Sequence, residues 1–261
     1  MSENGHKHTV QRGETLSSIA QHHGTTVSAL LAANPQIRDP NRIFVGQIIH
    51  LPGQSSPTVP PVPVTTGSGQ PSLSALNAIL EQFQSRGATA ATARQDRLPH
   101  GGVDASEKMA ETDRQCVMRH KEKLAAAAQQ FALPPALLAA IASRESRGGN
   151  VLSPDGTGDN GHGFGVMQVD DRNPFPVVQD GGPFGQPHIN QATDILSKKL
   201  KTVKNQHAEL SEVEQLQMAV SRYNGGRGLT PPDSDQGTTG GDYMNDVWAR
   251  ARYYARVEQW G

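Results

Sequence analysis

The chain has 261 residues, enough for one large domain or two unequal ones. Its 24 Lys and Arg are matched by 25 Asp and Glu, which sets it apart from the strongly basic chains that bind nucleic acid. One cysteine, Cys116, excludes an internal disulfide and a cysteine-based zinc site, and it reads as a small buried hydrophobe.

The polar start, MSENGHKHTV, lacks the apolar stretch of a secretory signal, and residues 1–7 are expected to be disordered. No apolar run is long enough to span a bilayer, so no membrane partner is expected. A substrate outside the cytoplasm would then be reached by host-cell lysis or by a dedicated secretion machine.

Residues 8–52 read as a small β-α-α-β unit. Thr9 and Val10 open it as a strand, and Gly13-Glu14-Thr15 turns the chain. Leu16, Ile19 and Ala20 recur at helical spacing, as do Val27, Leu30 and Leu31. Asn34-Pro35 breaks the second helix, and 48–51 (IIHL) reads as a closing strand. About 45 residues is close to the lower limit for a core without disulfides. The stretch 53–69, GQSSPTVPPVPVTTGSG, has no amphipathic period and is held extended by its prolines. It places an inter-domain linker at 53–71.

Residues 72–92 suit one helix, with Leu73, Leu76, Leu80 and Phe83 on one side, and 72–100 reads as a helical connector with no assigned role. The main domain is expected at 101–261. Asp104 suits an N-cap with Glu107 reaching back, and one long helix would follow through Met109, Val117, Leu124 and Phe131. A second helix begins at Leu133-Pro134-Pro135, where proline suits the first turn, and Gly148-Gly149 ends it. Further helices are expected at 189–203, 213–223 and from Tyr243 onward. The irregular stretch 148–187 is too long for an ordinary connection, and such segments in compact domains are usually functional. The fold class is α+β, mainly α.

Glu145 stands out chemically. Leu137, Ile141 and Glu145 are four apart and share one otherwise apolar helix face. A carboxyl there is partly desolvated and lies at the negative end of the helix dipole; both effects raise its pKa. A carboxylic acid that keeps its proton near neutral pH is what a glycosidase needs to protonate a leaving oxygen. The same pattern also suits a Glu paired with Arg144 or Arg147. In GTGDNGHGFGVMQVDD, Asp159 sits among glycines and Asp170-Asp171 follow a short apolar run. An acid facing Glu145 with room for a water suits an inverting glycosidase, whereas each Asp also suits an ordinary turn. Asn224, after Tyr223, has both a donor and an acceptor for a sugar acetamido group, or it is a plain Asn-Gly helix stop. Tyr243 reads as core on pattern alone. His6, His8 and the His22-His23 pair lack partners at ligand spacing, so no metal or cofactor is expected.

Two resemblances sharpen this reading. HTVQRGETLSSIAQHHGTTVSALLAANPQI with NRIFVGQIIHLP resembles a LysM module over its full length. The resemblance implies binding of N-acetylglucosamine-containing glycans in a groove between Gly13, Glu14, Thr15 and Leu16 on one side and Asn34, Pro35, Gln36 and Ile37 on the other. From residue 101 onward, ALLAAIASRESRGGNVL, GDNGHGFGVMQVD, SRYNGG and DYMNDVWARARYY, in this order, are similar to goose-type lysozyme, a family grouped with lytic transglycosylases. That resemblance implies a mostly helical domain with a short β/loop region in its cleft, and it makes Glu145 the general acid, with Asp159 and Asp170 as catalytic aspartates. Gln168, Tyr223, Asn224 and Tyr243 then line the cleft. Vertebrate members carry disulfides that this chain cannot form, the loop holds an extra residue between Glu145 and Asp159, and 173–187 departs from the family pattern.

The function implied is hydrolysis of the β-1,4 bond between N-acetylmuramic acid and N-acetylglucosamine in peptidoglycan, by a monomer waiting in a host cytoplasm as an endolysin does. The alternatives are a lytic transglycosylase with 1,6-anhydro products, a chitin-directed enzyme, and a wall-binding protein without activity.

Overall fold

The computed structural model describes residues 7–11, 14–16, 19–20, 23, 30–31, 33–34, 37, 43, 46–51, 71–227 and 233–260. The chain divides into two compact units, Met1–Gly67 and Ser68–Gly261. Among the described residues no helix is long and apolar enough to cross a membrane.

In the first unit, β1 (Lys7–Thr9) pairs antiparallel with β2 (Ile48–His50), placing His8 opposite Ile49. Leu16, Ile19, Ala20, Leu30 and Leu31 are helical, as their spacing predicts. Val10, Leu16, Ile19, Leu30, Ile37 and Ile49 form its core. Asn34 is fully buried. Its amide nitrogen donates to the carbonyls of Leu30 (2.7 Å) and His50 (2.8 Å), and its oxygen accepts from the His50 N–H (2.8 Å). One side chain thereby ties the second helix to the closing strand and satisfies three backbone groups.

The second unit is mainly helical. It comprises α1 (Leu73–Asn77), a 3-10 turn (Ala78–Gln82), α2 (Ala90–Gln95), α3 (Val103–Met118), α4 (Lys121–Phe131), α5 (Pro135–Ser146), α6 (Gln186–Gln206), α7 (Glu212–Tyr223) and α8 (Tyr243–Val257). Between α5 and α6 lie three very short antiparallel strands, β3 (Thr157–Gly158), β4 (Gly163–Phe164) and β5 (Val169–Asp170), in that order. Helix α5 is the centre. Its run PALLAAIAS is apolar all round, and every residue from Pro135 to Ser143 is buried, as such a helix requires. Helices α8, α3 and α4 pack around it.

Three sequence expectations change here. The single helix through Phe131 is two, because the chain breaks at Arg119-His120. The His120 ring stacks on Phe184 (centroids 4.9 Å apart), and its Nε2 lies 3.3 Å from the Gly148 carbonyl. Asp104 is not the cap of α3. Gly102 holds that position, and its N–H donates to the Ala88 carbonyl (2.7 Å), while the Ala88 N–H donates to Ser106 Oγ (2.8 Å). Glu107 turns instead to Arg256 (2.9 Å). Cys116 is half-buried, not a core residue.

The segment expected as a connector is part of the second unit. Leu80 is fully buried in its core, and the Leu80 carbonyl accepts from the Trp248 indole N–H (3.0 Å). Asn77 Oδ1 accepts from the Ala136 N–H (3.1 Å), closing one of the open donors at the start of α5. Asp242 accepts from the Thr89 N–H (2.6 Å). Leu80→Ala is therefore expected to cost about 2–5 kcal/mol of stability, as for other buried leucines. Urea unfolding of the full chain measures this, and an unshifted midpoint for the second unit would remove residues 78–82 from its core.

Candidate active site

The site is built at the end of α5, where Arg144, Glu145 and Ser146 occupy the last turn. Successive helix residues are about 100° apart, so the three side chains leave in different directions. Ser146 Oγ donates to the Val166 carbonyl (2.7 Å) and accepts from the Gly149 N–H (2.9 Å), fixing the helix end to the β region. Arg144 turns to the start of α8, donating to Asp246 (2.7 Å), Asp242 (2.9 Å) and the Thr239 carbonyl (3.2 Å). Arg147 pairs with Asp96. Neither arginine takes Glu145 as its ion-pair partner, which closes the alternative left open by the sequence.

Glu145 instead accepts a hydrogen bond from the Tyr243 hydroxyl. Burial pushes its carboxyl up to about 7, and the nearby charge of Asp159 adds to the rise; the Tyr243 bond and the Arg144 charge oppose it without reversing it. Tyr223, whose hydroxyl donates to the Met167 carbonyl (2.8 Å), is close enough to feel the Glu145 charge, and both tyrosines are held protonated by burial.

The facing wall comes from the β region. Gln168 Nε2 donates to the Gly165 carbonyl (2.8 Å), and its side chain lies over Gly158 and Gly163. A Cβ at those glycines would stand 2.3 and 2.2 Å from Gln168 Oε1, so this part of the glycine-rich stretch exists to admit that side chain. Asp159, Asn160 and Gln168 all have left-handed backbone (φ +46°, +55° and +48°). For non-glycine residues this costs on the order of 1 kcal/mol each and is concentrated at functional sites. Below them, His188 Nε2 accepts from the Met167 N–H (3.3 Å), and burial lowers this imidazole to about 4, so it stays neutral.

Asp170 is held by Arg172 from both oxygens, at 2.8 and 2.6 Å, and it also accepts the Arg172 backbone N–H (2.8 Å). These bonds keep its carboxyl below the usual range. The same guanidinium reaches Asp159 (3.1 Å). Asp171 turns away to His162 (3.0 Å).

Glu145, Asp159, Gln168, Asp170, Tyr223, Asn224 and Tyr243 all line one cavity of about 620 Å³, so every cleft residue expected from the sequence is brought together there. Tyr243, which the pattern alone placed in the core, lies in the core and also directs its hydroxyl at Glu145. The Asn224 side-chain oxygen accepts from the Thr239 N–H (2.7 Å) while the residue lines the cavity. The sequence reading missed Thr92, Gln95 and Asp96, which line the cavity from the supposed connector, and Arg172, Lys199 and Arg222.

In the first unit the expected groove residues divide. Gly13, Pro35 and Gln36 lie outside the described residues. Leu16, Asn34 and Ile37 are buried, with Leu16 and Ile37 in the core, so their side chains help build the module. Glu14 accepts from the Gln11 N–H (2.7 Å) and pairs with His8 Nε2 (2.7 Å), and Thr15 is exposed.

Comparison with known proteins agrees with this architecture. The family profile described as lysozyme g matches residues 79–258, and that of the LysM domain matches 8–52. The chain is 41% identical over 178 residues to a protein named lysozyme g from Casuarius casuarius, covering 67% of this chain and 94% of that one. It is 39% identical over 178 residues to lysozyme G of Dromaius novaehollandiae and 40% identical over 177 residues to lysozyme g of Struthio camelus. Each of these alignments covers 67% of this chain and 85% of the relative. The chain belongs to the lysozyme g family and carries a LysM domain ahead of the family's own domain. The family match begins at 79, inside the segment expected as a connector.

The pKa of Glu145 has a consequence for stability. Its folded value of about 7 lies above the ordinary 4.5, so folding takes up a proton between these values. The stability from this group is complete below about pH 4.5 and is lost as pH rises through 7. Glu145→Gln removes that loss, so its melting temperature should gain on the wild type between pH 5 and pH 8. A difference independent of pH would show an ordinary, solvated carboxyl.

Proposed function

We propose that the chain is a muramidase that hydrolyses the β-1,4 bond between N-acetylmuramic acid and N-acetylglucosamine in peptidoglycan, with the LysM domain holding it to the wall. The observation that carries this reading is the pair of carboxyl environments in one saccharide-sized cavity. Glu145 keeps its proton near neutrality by burial, and Asp170 stays ionised by its contacts with Arg172. Two carboxyls driven apart in this way supply an acid and a counter-charge.

Glu145 protonates the glycosidic oxygen, and the bond to the muramic acid C1 breaks toward an oxocarbenium-like centre. The proton comes from a neutral acid, so the departing sugar leaves as an alcohol. Asp170, with Asp159 beside it, stabilises the positive charge and orients the attacking water. To take the water's proton, Asp170 releases one of its Arg172 contacts. Gln168 and Asn224 shape the cleft walls, and no second copy of the chain is required to supply any of these groups, which fits action as a monomer. In the LysM domain, exposed Thr15 and half-buried Glu14 are the proposed glycan contacts among the described groove residues.

Glu145→Gln keeps an oxygen for the Tyr243 hydroxyl but has no proton to give. Turnover on bacterial walls is expected to fall about 10²–10⁴-fold, the range for loss of a general acid, with wall binding retained. The wild-type rate should decline on the alkaline side of about pH 7 as Glu145 ionises. Mass spectrometry of the released fragments is expected to show reducing ends. Products one water lighter would assign a transglycosylase, and full turnover by the Gln variant would remove Glu145 from the chemistry.

Removing residues 1–52 is expected to weaken binding to insoluble walls, on the order of 10²-fold where both units engage together, while cleavage of short soluble fragments persists. Pull-down on purified wall alongside a soluble-substrate assay measures both. Undiminished wall binding would deny the LysM domain its targeting role.

A further inference from the structure

A second cavity, of about 480 Å³, adjoins the catalytic one and shares Lys199, Arg222 and Gly225 with it. Lys199 comes from α6 and Arg222 from the last turn of α7, so their meeting is set by the packing of two helices. The other arginines of the cleft are matched: Arg144 with Asp242 and Asp246, Arg147 with Asp96, Arg172 with Asp159 and Asp170, and Arg250 with Asp113 and Asp246. Among the described residues, Lys199 and Arg222 have no carboxylate partner. Arg222 donates to the Gln206 amide oxygen (3.0 Å) and approaches His207 Nε2 (3.4 Å), and Glu209 pairs with that histidine and not with the arginine. Lys199 has no carboxylate partner among the described residues, whereas its neighbour Lys198 is paired with Asp194 (2.6 Å).

Burial and the charge of Arg222 both press the Lys199 ammonium toward its neutral form. Two half-buried cations side by side are unfavourable until an anion joins them. Beside them Gly225 takes a left-handed backbone (φ +77°) with open space where a side chain would stand.

We propose that Lys199 and Arg222 form an anion subsite that takes a carboxylate of the peptide borne by the muramic acid of the substrate. The inference rests on the muramidase reading and names the part of the substrate recognised beyond the glycan. The subsite opens from the catalytic cavity itself, so its ligand is attached close to the sugar being cleaved. Muramic acid is the wall sugar with a branch, and that branch is a peptide with free carboxyl groups. A phosphate-bearing wall polymer is joined to only a fraction of the muramic acids, whereas the peptide branch is their regular substituent.

The test uses the full chain on peptidoglycan stripped of phosphate polymers, before and after its carboxyls are converted to methylamides. Wild type is expected to show about tenfold higher kcat/KM on the free-acid form, the size of one charge-assisted hydrogen bond to a partly buried group. The preference should shrink in high salt. Lys199→Met and Arg222→Gln should each reduce this ratio toward one, and Lys199→Arg should retain it. The ratio isolates the subsite from general damage to the cleft, which lowers both rates together. Equal wild-type rates on the two forms, or a Met variant that keeps the preference, would overturn the subsite. A defect seen only on walls that still carry phosphate polymers would assign the pair to phosphate and overturn it as well. Wild type that cleaves neither form would sink the muramidase reading itself, a distinct result.

Discussion

Arg144 and Glu145 are neighbours in the chain, and the cleft depends on their charges not meeting. A cation within hydrogen-bond reach lowers a carboxylate by roughly 1–3 in pKa, enough to cancel the rise that burial gives Glu145. Separation is achieved by giving Arg144 better partners. Asp242 and Asp246 at the start of α8 take its guanidinium, and the Tyr243 hydroxyl between them in sequence goes to Glu145. Asp246 is itself shared with Arg250, which is buried and also bonds Ser143 (2.8 Å) and Asp113 (3.2 Å). Helices α3, α5 and α8 are thus joined by one buried polar network beneath the acid. Such a network adds little net stability over apolar packing, but removing Arg250 leaves buried Asp113 without its cation. Its use here is to fix the direction in which Arg144 leaves the helix.

The opposite wall solves the reverse problem. In the proposed mechanism Asp170 is an anion next to a neutral acid, and solvent with a bidentate arginine favours that state. The left-handed residues Asp159 and Gln168 place the loop, and glycines at 158 and 163 give Gln168 the room to lock it. One carboxyl is governed by burial and the other by ion pairing, a division of environments that yields acid and counter-charge at a single pH.

What could be read from the sequence follows from range. Glu145 was legible because four-residue spacing from Leu137 and Ile141 places it on a buried face within one helix. The proline-led start of α5 and the extents of α6, α7 and α8 were legible for the same local reason. The break at His120 was not, since apolar positions keep their spacing on both sides and the cause is a ring stacked on Phe184, far along the chain. The capping box at Asp104 lost to a backbone bridge from Ala88, another distant partner. The segment holding Leu80 and Asn77 gave a weak helical pattern because its elements are a single turn or two long and owe their order to α5 and α8. In the first unit, the buried Asn34 side chain bonds the scaffold, a role that depends on backbone groups 16 residues away and is not legible from local spacing.

The cleft is therefore charged differently along its length, and no single element sets that gradation. The neutral acid sits at the end of α5, the arginine-saturated aspartates lie on the β side, and two cations with no carboxylate partner among the described residues lie where α6 meets α7. Glu145, Asp170 and Lys199 line one cavity but differ in their access to solvent, so the charge of each is set by its own neighbours. An anion seated between Lys199 and Arg222 would relieve their mutual repulsion.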